Sequence, residues 1–125
     1  MNIKKQAFTL FARWLVNTFS LWLAVSLSLL EMQGDWPQFI VGGLLLALLN
    51  AIIKPLLVVF SLPIVALSLG LFMVVINATI LYFLSWIYDP LQITSFFDAL
   101  LAGIVISLIN YIVTILFERL FKNNE

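Results

Sequence analysis

The chain has no cysteine and no histidine. That excludes disulfide bonds, thiolate or imidazole metal sites, and catalysis by a Cys or His side chain. Charge is scarce as well: of 125 residues, 10% are charged, six basic and six acidic, against 64% hydrophobic. The acids Glu31, Asp35, Asp89 and Asp98 are spread over two polar stretches and read as helix caps and turn residues. With no acid inside an apolar run there is no proton relay, and with no nucleophile beside a base or metal the chain reads as no enzyme. Cofactors, metals and nucleic-acid partners are not expected.

What the chain has is long apolar runs. Residues 42–86 carry a single charge, Lys54. A soluble domain of this size could not bury such a run on every face, whereas two bilayer crossings of about 20 apolar residues each absorb it. The reading is an all-α membrane protein, one transmembrane domain over residues 1–125, with four transmembrane helices at about 8–30, 36–60, 63–87 and 96–120. A short basic head precedes the first span, which is too long for a signal peptide and is read as retained. Asp35 with Gln38, and Ser95 with Asp98, have the form of capping boxes at the starts of the second and fourth spans. Pro63 suits a first helical turn, Asp89-Pro90 marks a turn, and residues 122–125 form a polar tail expected to fray.

If the N-terminus is cytoplasmic, all six Lys and Arg lie in or near cytoplasmic ends and those four acids face the other side. The expected topology is therefore N-in and C-in, as a multi-pass protein of the bacterial cytoplasmic (inner) membrane. An internal repeat accompanies it. A shift of sixty residues pairs Asn17 with Asn77, Gly43 with Gly103, Asn50 with Asn110, and one capping box with the other. Two duplicated helical hairpins, about 8–60 and 68–120, would keep one orientation and form a parallel repeat about an axis along the membrane normal.

The repeat sets four amides near one level. At about 1.5 Å per residue, Asn17 lies about 13 Å above the cytoplasmic edge, and Asn50 and Asn110 about 18 Å below the outer edge of a core about 30 Å thick. Amides facing lipid would lose their hydrogen bonds, so Asn17, Asn50, Asn77 and Asn110 should face one another, backbone or water. They either fix helix register or line a polar path. Gly42, Gly43 and Gly103 are expected to permit close helix packing. Pro55 should kink the second span. Lys54 beside it either snorkels to the headgroups or holds an anionic lipid or a partner's carboxylate. The connection that follows is apolar at the cytoplasmic interface: residues 55–70 make either a tight turn at 61–63 or a submerged, re-entrant segment.

These residues carry a resemblance. Gly43 to Leu57 (GLLLALLNAIIKPLL), Ser61 to Pro63 (SLP) and Leu69 to Ala78 (LGLFMVVINA) resemble the signature of the four-span family known as phage holin superfamily IV, named for mycobacterial phage proteins. Asn50, Lys54, Pro55, Pro63, Gly70 and Asn77 match that pattern, with Ser68 where Thr is expected. The resemblance implies a small membrane protein that self-associates into a homo-oligomer and alters permeability. Because many members are bacterial chromosomal proteins, some near envelope-stress genes, it equally admits a non-conducting accessory protein that binds lipid or a partner. A compact transporter is the third reading, weakened by the missing buried acid.

Overall fold

The computed structural model describes residues 3–122, with side chains as far as Leu120. Most of the tail expected to fray, 123–125, and the first two residues of the basic head lie outside the described residues. Five helices and two very short strands run in the order α1 (Ile3–Ser26), β1 (Glu31–Met32), α2 (Trp36–Phe60), α3 (Leu62–Leu67), α4 (Phe72–Ile87), β2 (Leu91–Gln92) and α5 (Phe96–Lys122). Helices α1, α2 and α5 are each long and apolar enough to cross a bilayer, and α4 is a shorter apolar helix. The chain is a mostly helical membrane protein.

Both capping sites start helices as expected, by different means. The Asp35 N–H donates to Gln38 Oε1 at 2.8 Å ahead of α2. Ahead of α5 the Ser95 hydroxyl accepts the Asp98 N–H at 3.1 Å, while the Asp98 carboxylate accepts the Thr94 hydroxyl at 2.8 Å.

Two helix ends differ from the sequence reading, and one kind of bond pattern explains both. The first span stops at Ser26 rather than near residue 30. Ser28 adopts φ 66°, the Leu29 N–H bonds the Ala24 carbonyl at 3.0 Å and the Ser28 N–H bonds the Val25 carbonyl at 2.9 Å, the pair of bonds that closes a Schellman cap. A serine in the left-handed position, where glycine is usual, hides this stop from a sequence reader.

The third span, expected as one helix over 63–87, is instead α3 and α4 with a break between them. The Gly70 N–H bonds the Val65 carbonyl at 2.8 Å and the Leu69 N–H bonds the Ala66 carbonyl at 3.2 Å, with Leu69 at φ 56° and Gly70 at φ 89°. Two successive left-handed residues end α3 and redirect the chain. The Ser68 hydroxyl bridges the break, donating to the Val65 carbonyl at 3.1 Å and accepting the Phe72 N–H at 3.0 Å. Residues 55–70 thus combine a tight turn at Ser61 with a short separate helix, and Pro55 lies within α2, which continues to Phe60.

The four long helices close a ring in which α1 packs on α2, α2 on α4, α4 on α5 and α5 on α1. At one end, hereafter the ribbon end, β1 and β2 pair antiparallel with Glu31 opposite Gln92 and Met32 opposite Leu91. The Tyr88 hydroxyl donates to the Gln38 carbonyl at 2.8 Å there, tying α4 to α2. Leu21, Leu30, Leu84 and Leu91 are fully buried at this end. The start of α1 and the end of α5 lie at the other end, hereafter the terminal end. The outward stripe of α1, with Phe8, Phe11, Leu15, Phe19 and Trp22 at spacings of three and four, is exposed apolar surface of the kind that meets lipid.

Since lipid tails are as apolar as Leu, close backbone approach and polar bonds hold such helices together. Gly43 is the tightest approach: a Cβ there would sit 2.7 Å from the Thr18 backbone nitrogen and 2.8 Å from its Cα. At Gly103 a Cβ would meet Asn77 Cβ at 3.2 Å and the Ala78 nitrogen at 3.4 Å, and at Gly42 the Tyr88 ring at 3.2 Å. All three glycines are buried between helices. Gly43→Ala should therefore push α1 off α2 and cost at the upper end of the range of about 1–3 kcal/mol for overpacking. Gly103→Ala should cost clearly less. Thermal unfolding of the two variants in one detergent checks the order, and equal losses would refute the asymmetry.

Candidate functional site

A cavity of about 800 Å³ occupies the terminal end of the bundle. Each long helix contributes polar groups to it: Lys5, Arg13 and Asn17 from α1, Asn50 and Lys54 from α2, Asn77 from α4, and Ser107, Asn110 and Thr114 from α5. All four asparagines singled out in the sequence therefore line one space. It stops at Leu46, Ile80, Leu81 and Ile106, which line it and also belong to the buried core. Beyond that apolar floor lies the packed ribbon end, so the cavity does not run through the bundle.

The amides make one direct pair rather than a closed ring of four. The Asn110 Nδ2 donates to Asn17 Oδ1 at 2.9 Å and to the Ile106 carbonyl at 2.9 Å. On the other wall the Asn77 Nδ2 donates to the Ser107 hydroxyl. Asn50 lines the cavity with no hydrogen-bond partner among the described residues.

Arg13 is the functional residue that the sequence reading passed over. Its Nη1 donates to Asn110 Oδ1 at 3.0 Å and its Nη2 to Thr114 Oγ1 at 2.6 Å, which locks α1 to α5. The signal was present in the spacing. Arg13 and Asn17, Asn50 and Lys54, and Asn110 and Thr114 are each four residues apart, so each helix turns two successive polar groups toward the same side. Trp14 donates its indole N–H to the Ile40 carbonyl at 2.7 Å, inside the α1–α2 hairpin.

Lys54 is half-buried on the cavity wall, one turn beyond Asn50, and has neither an ion pair nor a hydrogen bond among the described residues. Among the described residues no Asp or Glu lines the cavity. Three cations, Lys5, Arg13 and Lys54, thus line a space bounded by amides and hydroxyls with no counter-charge from the described residues. Such a set can hold an anion, donating from Arg13, Lys54 and the Asn50 amide.

Comparison with known proteins adds a family and two relatives. Residues 8–112 match the family described as mycobacterial four-transmembrane-segment phage holin, superfamily IV. The chain is 40% identical over 75 residues to a Bacillus subtilis protein called uncharacterized membrane protein YvlD, an overlap of 59% of this chain and 63% of that one. It is 36% identical over 76 residues to the uncharacterized protein SCO3922 of Streptomyces coelicolor, covering 58% of this chain and 61% of the relative. The chain thus spans about three-fifths of the length of these relatives. No solved structure matches it.

The bond pattern ranks the asparagines. Asn110→Leu takes an acceptor from Arg13 and a donor from Asn17, and should cost about 1.5–3 kcal/mol, the range for hydrogen bonds to charged groups. Asn50→Leu removes no bond within the protein and should cost less than about 1 kcal/mol. Thermal unfolding of the purified variants checks this, and an Asn50→Leu loss as large as that of Asn110→Leu would contradict the arrangement.

Proposed function

We propose, on the premise that this chain belongs to the mycobacterial four-transmembrane-segment phage holin superfamily IV, that it is a non-catalytic binding protein of the bacterial cytoplasmic membrane whose cavity receives an anionic group. The observation that carries this reading is the cavity itself. It holds Lys5, Arg13 and Lys54 with no carboxylate among the described residues, and it ends on packed apolar side chains instead of crossing the bundle. A pore through the single bundle would need Leu21, Leu81 and Leu84, each 1% exposed or less, to separate.

The charge distribution supports a cytoplasmic opening. Lys4, Lys5 and Arg119 sit at the terminal end, whereas Glu31, Asp35, Asp89 and Asp98 sit at or beside the ribbon end. Duplication of a hairpin is supported by three independent features. The strands β1 and β2 are sixty residues apart and pair reciprocally, 31 with 92 and 32 with 91, as two copies related by a twofold axis would. Gly43 meets Thr18 in one hairpin, and Gly103 meets Ala78, sixty residues on from Thr18, in the other. Leu21 and Leu81, Ala24 and Leu84, and Leu46 and Ile106 are buried in both halves.

The holin-like reading, self-association with altered permeability, is favoured by one feature: the outer surface is broadly apolar on every long helix, so a conducting path would have to form between copies. Dye release from liposomes separates the readings. With the protein inserted, vesicles loaded with dyes of graded size should stay tight, and Lys54→Ala should change nothing. Release with a size cutoff that Asn50→Leu or Lys54→Ala shifts would overturn the binding reading in favour of a pore. For topology, single cysteines placed at Lys5 and at Asp89 should be labelled from opposite sides. Labelling from one side would refute the proposed orientation.

A further inference from the structure

The segment that holds the break between α3 and α4 contributes nothing to the lining of one flank of the cavity. In the first hairpin, α1 runs unbroken from Ile3, and Lys5, Gln6, Thr9 and Leu10 line the cavity. In the second hairpin no residue between Lys54 and Asn77 lines it: neither α3 nor the first turn of α4 contributes. α4 packs against both α2 and α5, and Val65, Phe72 and Met73 pack against the buried core without lining the cavity, so the lining has a gap between α2 and α5 at the terminal end. Lys54 of α2 and Tyr111 of α5, the latter 65% exposed, line the cavity on either side of this gap. The gap faces sideways, toward the surface that the apolar exteriors of α2, α3 and α5 present to lipid.

Depth and charge narrow what could enter. Lys54 lies six residues before the end of α2, about 9 Å in from it, within reach of the headgroup layer for a flexible ammonium. Arg13 makes three hydrogen bonds, from Nη1 to the Asn110 amide oxygen and, at 3.5 Å, its backbone carbonyl and from Nη2 to Thr114, and keeps its remaining N–H donors. Arg13 and Lys54 with spare donors, Lys5 as a third cation on the lining, and an Asn50 amide unpartnered among the described residues suit a ligand with at least two negative charges and several acceptor oxygens on one centre. A phosphate monoester carries about −1.5 to −2 and three such oxygens, whereas a carboxylate or phosphodiester carries only one charge.

We infer that the cavity takes the headgroup of a membrane lipid bearing a phosphate monoester, entering sideways beneath the start of α4, with Arg13 and Lys54 on the phosphate and the acyl chains remaining in the inner leaflet through the gap. This rests on the anion-binding reading above and adds the ligand class and its route. Arg13 is also a structural link between α1 and α5, while Lys54 has no hydrogen bond or ion pair among the described residues; Lys54→Gln is therefore the variant that tests binding without disturbing the bundle.

The test is native mass spectrometry of the full chain released from detergent after incubation with phosphatidic acid, phosphatidylglycerol or phosphatidylcholine, with glycerol 3-phosphate and inorganic phosphate as soluble competitors. Phosphatidic acid adducts should exceed phosphatidylglycerol adducts about tenfold, the effect of roughly one charge-assisted hydrogen bond. Lys54→Gln should lose that preference, Arg119→Gln, outside the cavity, should keep it, and the soluble phosphates should not displace the lipid. Displacement by millimolar inorganic phosphate would overturn the lipid and its sideways route while leaving an anion site in place. Equal adducts for all three lipids, unchanged in Lys54→Gln, would overturn both the lipid and the anion-binding reading.

Discussion

A guanidinium held inside a helical bundle by an amide and a hydroxyl, without a carboxylate, is the interaction on which the rest of this structure turns. Removing Arg13 from water is tolerable only if its donors are satisfied, and Asn110 and Thr114 supply acceptors one turn apart on a facing helix. Asn110 can accept from Arg13 because its own Nδ2 is occupied by Asn17 and the Ile106 carbonyl, which fixes the amide's orientation. Register between α1 and α5 follows from that chain of bonds. The positive charge then remains, since neutral acceptors take some of the N–H groups without cancelling it.

The two ends of the bundle are stabilised by different physics. At the ribbon end, small and branched apolar side chains meet across glycine-mediated contacts, and the two strands pair reciprocally, so no polar group is left over. At the terminal end polar side chains replace the core, and the helices are kept apart by a cavity they line together. In a bilayer there is no hydrophobic penalty for separating helices at a given depth, only lost packing and unsatisfied polar groups. A polar cavity that admits water or a ligand headgroup is therefore a stable way to end a bundle.

Much of this was legible in the chain. The apolar runs gave three helices long enough to cross a bilayer and a shorter apolar one, the sixty-residue correspondence pointed to the asparagines, and all four asparagines line one cavity. Gly42, Gly43 and Gly103 could be read as packing residues because small residues in apolar helices have few other uses. What could not be read was local backbone geometry that residue type does not announce. Ser28 and Leu69 adopt left-handed conformations that a sequence reader assigns to glycine, and the stop after Leu67 turned one expected helix into two. Arg13 was overlooked for a different reason. Its place in the first half of α1 suggested an interfacial cation, whereas the helix begins at Ile3 and its face continues directly into Asn17.

The second half of the chain departs from the first where the chemistry lies. Under the proposed duplication, Arg13 corresponds to Met73 and Lys54 to Thr114, so the first hairpin supplies both of these cations and the second has neutral side chains at the matching positions. The pairing Arg13 to Thr114 is bonded, whereas its counterpart, Met73 with Lys54, offers no acceptor for the ammonium. The same half carries the α3–α4 break, in a segment that adds nothing to the cavity lining that α1 provides on the opposite side. The ribbon end keeps the twofold pairing and the terminal end loses it in two ways at once, in charge and in backbone. A symmetric cavity would have bonded both cations internally and walled both flanks; the asymmetric one leaves Lys54 unpaired beside the opening, and an unpaired donor at an entrance is what a bound anion requires.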